Sequence, residues 1–149
     1  MIAAPALFSL ANAVALAAWI ALGLSLFAPR WRPWTFLVTG LVLPGLFGIA
    51  YGGALAAGLA GGAGGGFSSI QDVRALFAND HALTAGWIHY LAFDLVVGTW
   101  IARSGLAAGL SPLLILPCLV LTFLVGPLGL LLALVIRAGT GTLGAEARP

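Results

Sequence analysis

The sequence predicts an all-α polytopic membrane protein, a bundle of four transmembrane helices with a short amphipathic helix between the second and third. Three observations carry this. Of 149 residues, 62% are hydrophobic and only 7% are charged, with a mean hydropathy of +1.13, whereas a soluble domain is about a quarter charged. Four apolar runs have the length, about 20 residues, that a helix needs to cross the hydrocarbon layer. Tryptophans and arginines gather between the first two runs, where a headgroup layer accepts them. The length suits a single membrane domain over residues 1–137.

The first span covers about residues 5–28 and carries no charge. It lacks the positive start of a secretory signal and exceeds its apolar length, so it reads as a retained helix. Ala28-Pro-Arg-Trp-Arg-Pro-Trp34 closes it. The second span, about 35–59, contains Pro44, which predicts a kink. It also contains Gly48-Ile-Ala-Tyr-Gly52, whose small residues four apart predict close packing on a neighbouring helix. Gly61-Gly-Ala-Gly-Gly-Gly66 is a flexible joint rather than a phosphate cradle, since no Lys-Ser/Thr pair ends it. Ser69-Ile-Gln-Asp72 fits a capping box, and Ile70, Val73, Leu76 and Phe77 share one helical face, so residues 69–78 predict an interfacial helix.

Asn79 and Asp80 cap the third span, about 81–103. The fourth, about 112–136, is broken by Pro117 and by Gly126-Pro127-Leu-Gly129 and ends at Arg137. Residues 138–149, with Glu146 and Arg148, read as a disordered tail. Four crossings put both termini on one side, and the arginines of the first loop favour that loop being cytoplasmic. All six basic residues are arginine, and alanine and glycine abound. That usage suggests a GC-rich bacterial genome and thus a bacterial inner membrane.

The net charge of +2 comes from scattered arginines, so no basic stripe argues for nucleic acid. Cys118 is the single cysteine and rules out an intrachain disulfide. His81 and His89 stand about 12 Å apart along one helix, too far to share an ion. There is no Glu-x-x-His pair for a di-iron site and no serine in a G-x-S-x-G setting. No metal and no cofactor is expected; a haem on His89 alone is the remoter alternative.

The chemistry concentrates in Gly86-Trp-Ile-His-Tyr-Leu-Ala-Phe-Asp94. Asp94 falls near the midpoint of the third span, where an ionised carboxylate costs about 2.5–3.5 kcal/mol. Such a group is protonated, paired, or turned to a wet cavity. At 100° per residue, Trp87, Tyr90, Asp94 and Ile101 share one side of the helix, and His89, Phe93, Trp100 and Arg103 share another. Asp94 and Arg103 lie nearly opposite each other and about 13 Å apart along the axis, so they do not pair. Tyr90, or Asn12, Tyr51 or Thr122 on other helices, is then the partner of Asp94. One reading makes Asp94 a structural hydrogen-bonding residue and His89 a satisfied interior histidine. The other makes Asp94, His89 and Tyr90 an acid–base set, with Trp87, Phe93, Trp100 and Arg103 binding an apolar substrate.

Gly86-Trp-Ile-His-Tyr-Leu-Ala-Phe-Asp-Leu95, followed by Gly98 and Trp100-Ile101, resembles the signature of the abscisic-acid-deficient-four-like family. Leu116-Pro-Cys-Leu119 and Leu121-Thr-Phe-Leu-Val-Gly-Pro-Leu-Gly-Leu-Leu-Leu132 resemble its second block. The resemblance covers about residues 65–137, with the first two spans agreeing only in hydropathy. It implies a small four-helix membrane protein. Plant members of the family are implicated in converting violaxanthin to neoxanthin, an epoxide-to-allene isomerisation without redox change. The family pattern has a basic residue where this chain has Thr99 and an acidic one where it has Ser104, which bears on substrate binding.

Two functions follow from these readings. The chain is a carotenoid isomerase or its direct accessory, acting on a carotenoid or other isoprenoid inside the membrane. Alternatively, it is a non-catalytic accessory subunit or pigment-binding module of a larger complex. Its partners are membrane lipid and such an isoprenoid, with small-residue helix faces suited to a homo- or hetero-oligomer. A proton or small-solute carrier is the third reading, thinly supported by one acid.

Overall fold

The computed structural model describes residues 2–144 and is all-helical, with no strand among the described residues. Helix α1 runs over Ala4–Ser25, with Pro5 in its first turn, where a missing N–H costs nothing. Its terminal carbonyls are met by Arg32, whose Nε donates to Ser25 O at 3.2 Å and whose Nη2 donates to Leu26 O at 2.7 Å. The first loop thus spends one of its two arginines on a helix C-terminus, the end that favours a cation.

A 3₁₀ turn at Pro29–Trp31, helix α2 (Arg32–Leu37), a π turn (Val38–Val42) and helix α3 (Leu43–Ala60) follow without a break. Together they make one helical run of 32 residues, Pro29–Ala60. The helical run continues through Pro44, and the irregularity beside it is the π turn just before the proline. The expected packing of Gly48 and Gly52 is not found: a Cβ added at either would meet open space. Glycines at close contacts include Gly58 against Ala82, Gly98 against the Trp19 ring and Gly129 against Thr122.

The glycine joint is tied down in part, since Gly66 N donates to Asp72 O at 3.2 Å. Helix α4 occupies Ile70–Leu76, and Ser69 Oγ accepts from Asp72 N at 3.1 Å as the cap requires. Leu76 is buried and Ile70 exposed, so the apolar stripe is split between protein and surroundings. Helix α5, Asp80–Ala107, is 28 residues long. Asn79 Oδ1 caps it, accepting from His81 N at 3.0 Å and Ala82 N at 3.2 Å. This helix is the axis of the fold, packed on α1, on α3 and on the helix that follows it. Half of its most apolar window is buried inside the protein, against 11% for the Pro29–Ala60 run.

The apolar run expected as a fourth crossing is folded differently. It forms two helices, α6 (Pro112–Val125, 14 residues) and α7 (Pro127–Gly139, 13 residues), joined at Gly126. Pro117 lies inside α6 without ending it. Helix α7 folds back along α6. Gly129 abuts Thr122, and one pocket is walled by Leu114 and Cys118 of α6 with Ala133 and Arg137 of α7. The pairing is antiparallel, so the two helices make a hairpin with Gly126-Pro127 at its tip. At 1.5 Å per residue each arm is about 20 Å long, short of the ~30 Å hydrocarbon layer. Among the described residues three runs, α1, Pro29–Ala60 and α5, are long and apolar enough to cross a membrane.

The hairpin also returns Arg137 beside Trp100, with its guanidinium carbon 5.6 Å from the ring centroid. Arg137 therefore shares an end of the molecule with Arg103, where four full crossings would have separated them. Of the residues expected in the tail, 138 and 139 belong to α7, and Arg137 Nη2 donates to Thr142 O at 2.9 Å. Residues 145–149, including Glu146 and Arg148, lie outside the described residues.

Candidate functional site

Asp94 sits against the hairpin tip. A Cβ added at Gly126 would lie 2.6 Å from Asp94 Oδ1 and 2.8 Å from Oδ2, so only glycine lets the carboxyl approach this backbone. Asp94 Oδ2 is buried and has no hydrogen-bond partner. Proline shapes the same corner. Pro127 has no N–H to give to the carbonyl of Phe123, four residues earlier. Tyr90 fills the vacancy, its hydroxyl donating to Phe123 O at 3.3 Å. Tyr90 is thereby committed to the hairpin, and the partnership with Asp94 expected from sequence is not formed.

Aromatic rings pack beside Tyr90 and Phe123. Trp87 meets Tyr90 edge-on at 5.1 Å and Phe8 at 5.4 Å, while Trp19 meets Phe123 at 5.7 Å. Trp87 Nε1 donates to Asn12 Oδ1 at 3.1 Å, and Asn12 Nδ2 donates to Phe8 O at 2.7 Å. Asn12 thus serves Trp87 and its own helix rather than Asp94. Thr122, another candidate, donates to Cys118 O at 2.7 Å within α6. Beside these rings an apolar crevice of about 340 Å³ runs between α1 and α6, lined by Trp19, Gly23, Phe27, Leu116, Val120 and Phe123 among others.

His89, Phe93, Trp100 and Arg103 face elsewhere. His89 stacks on Phe93 at 4.6 Å and meets Tyr51 of α3 at 5.7 Å. These three line a pocket of about 280 Å³ with Pro44, Phe47 and Val96. Trp100 and Arg103 line a separate groove of about 500 Å³ with Gly40, Val96, Thr99 and Ser104. Thr99 and Thr39 fix the seam: their hydroxyl oxygens are 2.7 Å apart, and Thr39 donates on to Thr35 O at 2.8 Å.

The structure therefore brings Trp87, Tyr90 and Asp94 together and leaves His89, Phe93, Trp100 and Arg103 on the far side of α5. His89 does not join Asp94. Sequence reading missed Phe8, Trp19, Phe123 and Gly126, which complete the Asp94 corner. Gly126-Pro127 was visible as a helix break; that the chain reverses there, against Asp94, was not. Among the described residues no three of His, Cys, Asp and Glu gather as a metal site would require.

A family model described as ABA DEFICIENT 4-like matches residues 6–132. The chain belongs to that family. The match to the ABA DEFICIENT 4-like model takes in α1 and the Pro29–Ala60 run as well as the two blocks noticed in sequence. Every residue of the Asp94 corner falls inside it, and Arg137 falls beyond it. No curated protein and no solved structure matches the chain.

Proposed function

We propose that this chain handles a carotenoid or another long isoprenoid inside a bacterial inner membrane, by acid–base chemistry centred on Asp94. The observation that carries the reading is the buried, unpartnered Oδ2 of Asp94 at the hairpin tip. A carboxyl that meets no protein donor is free to exchange a proton with a ligand, and as an intramembrane acid it is a functional group by default. The aromatic-walled crevice between α1 and α6 supports an elongated apolar substrate, with Phe123 at the boundary between crevice and corner. In an epoxide isomerisation the acid form protonates the ring oxygen as its C–O bond opens. The resulting carboxylate then removes a nearby carbon-bound proton, so the net reaction moves a proton without redox change. Tyr90 holds the corner in shape rather than acting as a second acid.

In the same reading α1, Pro29–Ala60 and α5 cross the bilayer and the α6–α7 hairpin enters and leaves from one side. Its irregular tip is then sheltered by protein, the condition under which non-helical backbone is tolerated at membrane depth. Three crossings put residue 2 and residue 144 on opposite sides.

The placement of His89 on the opposite face favours a second reading, a pigment-binding module without catalysis, because it leaves Asp94 with no companion base. Expression in a carotenoid-producing host separates the two. The enzyme reading expects a new pigment that disappears in an Asp94→Asn variant. An unaltered pigment profile, with carotenoid co-purifying equally with both proteins, supports the module.

A further inference from the structure

The face of α5 turned away from Asp94 carries a second feature, which does not depend on the reading above. Ser104 is only 5% exposed, and its Oγ has no hydrogen-bond partner. A helical serine commonly returns its proton to the carbonyl one turn back, and a buried hydroxyl left alone is costly. Ser104 lines the 500 Å³ groove together with the exposed side chain of Arg103. The acids Asp72 and Asp80 belong to the other end of α5, about 35 Å away along the helix at 1.5 Å per residue. The groove mouth thus sets the Arg103 guanidinium beside the Ser104 hydroxyl, a cation and a donor arranged for an anion.

The groove is not confined to its mouth. Val96 lines both it and the 280 Å³ pocket of Phe47, Tyr51, His89 and Phe93, so a second, apolar cavity adjoins the groove on the side toward the middle of α5. Arg103 is about one turn from the end of that helix at Ala107, at the depth where a long cationic side chain reaches headgroups. A charged mouth at headgroup depth with an apolar cavity adjoining it inward has the polarity of an anionic amphiphile in one leaflet.

We propose that this groove binds an anionic phospholipid, with phosphate oxygens on the Arg103 guanidinium and the Ser104 hydroxyl and one acyl chain lying past Val96 toward Phe93. Basic clefts between transmembrane helices select anionic headgroups in this way.

The test uses the full chain in vesicles of phosphatidylcholine containing a minor fraction of brominated phosphatidylglycerol or brominated phosphatidylcholine. Quenching of Trp100 fluorescence is isolated by subtracting a Trp100→Phe variant. The expected result is about a fivefold preference of the Trp100 site for the anionic lipid. Arg103→Gln brings the preference to unity, Ser104→Ala lowers it, and Asp94→Asn leaves it unaltered. Equal quenching of the unsubstituted protein by both lipids overturns the proposal, as does a preference that survives Arg103→Gln. Should Arg103→Gln fail to fold, the unsubstituted protein and Ser104→Ala decide alone, a preference insensitive to Ser104→Ala counting against the site.

Discussion

The two faces of α5 are built by opposite means. On one, Asp94 is closed in by backbone: the hairpin tip at Gly126 touches its carboxyl, and Tyr90 is tied to Phe123 O at 3.3 Å. On the other, Arg103 and Trp100 border an open groove, and the contacts that shape it are side chain to side chain, such as Thr99 to Thr39 at 2.7 Å. Oδ2 of Asp94 is buried without a partner against backbone shaped by glycine and proline at the hairpin tip. An exposed guanidinium needs no such enclosure. The difference separates the corner proposed for chemistry from the groove proposed for lipid.

That contrast can be broken most severely at the hairpin. Gly129→Leu drives a side chain into the Thr122 backbone of the facing arm, and overpacking of this kind costs about 1–3 kcal/mol. A drop in the denaturation midpoint in detergent, with the Asp94 corner disrupted as a consequence, is the expected outcome. A midpoint within error of the parent refutes the close packing of the two arms.

Next in size is the split between stability and function at Asp94. Because its Oδ2 is unpartnered, Asp94→Asn removes no hydrogen bond. The variant is expected to match or exceed the parent in thermal stability while losing the pigment product, the trade-off typical of functional sites. A clear loss of stability returns Asp94 to the role of bundle glue.

Tyr90→Phe leaves Phe123 O without a donor, at a cost of about 1 kcal/mol. The smallest effect belongs to the open face, where Thr99→Val removes an interhelical hydroxyl pair worth about 0.6 kcal/mol in a membrane protein. The comparison holds if the first loss exceeds the second in parallel denaturation curves, and it weakens if the order reverses.

Much of the helical plan was legible in the sequence. Asn79 and Ser69 announced their caps because capping depends on a local side chain and its neighbouring N–H groups. The run 81–103 was recognisable by length and composition, and its two polar faces followed from helical spacing alone. The hairpin escaped because hydropathy measures how long an apolar stretch is, and a reversal inside it leaves that measure unchanged. Pro117 and Gly126-Pro127 read alike as helix breaks, yet only the second reverses the chain. The packing of Gly48 and Gly52 was misplaced for a related reason: small residues permit close approach, but which neighbour arrives is decided elsewhere in the bundle.

Hydrophobic carbodiimide labelling in intact membranes tests most directly whether the third long helix keeps an unsatisfied acid out of reach of water. Such a reagent attacks protonated carboxyls within the bilayer, and peptide mapping reports which one. The account requires modification at Asp94, absent from Asp94→Asn and not reproduced by a water-soluble carbodiimide. A parent protein left unlabelled at that residue, or labelled there equally by the water-soluble reagent, contradicts it.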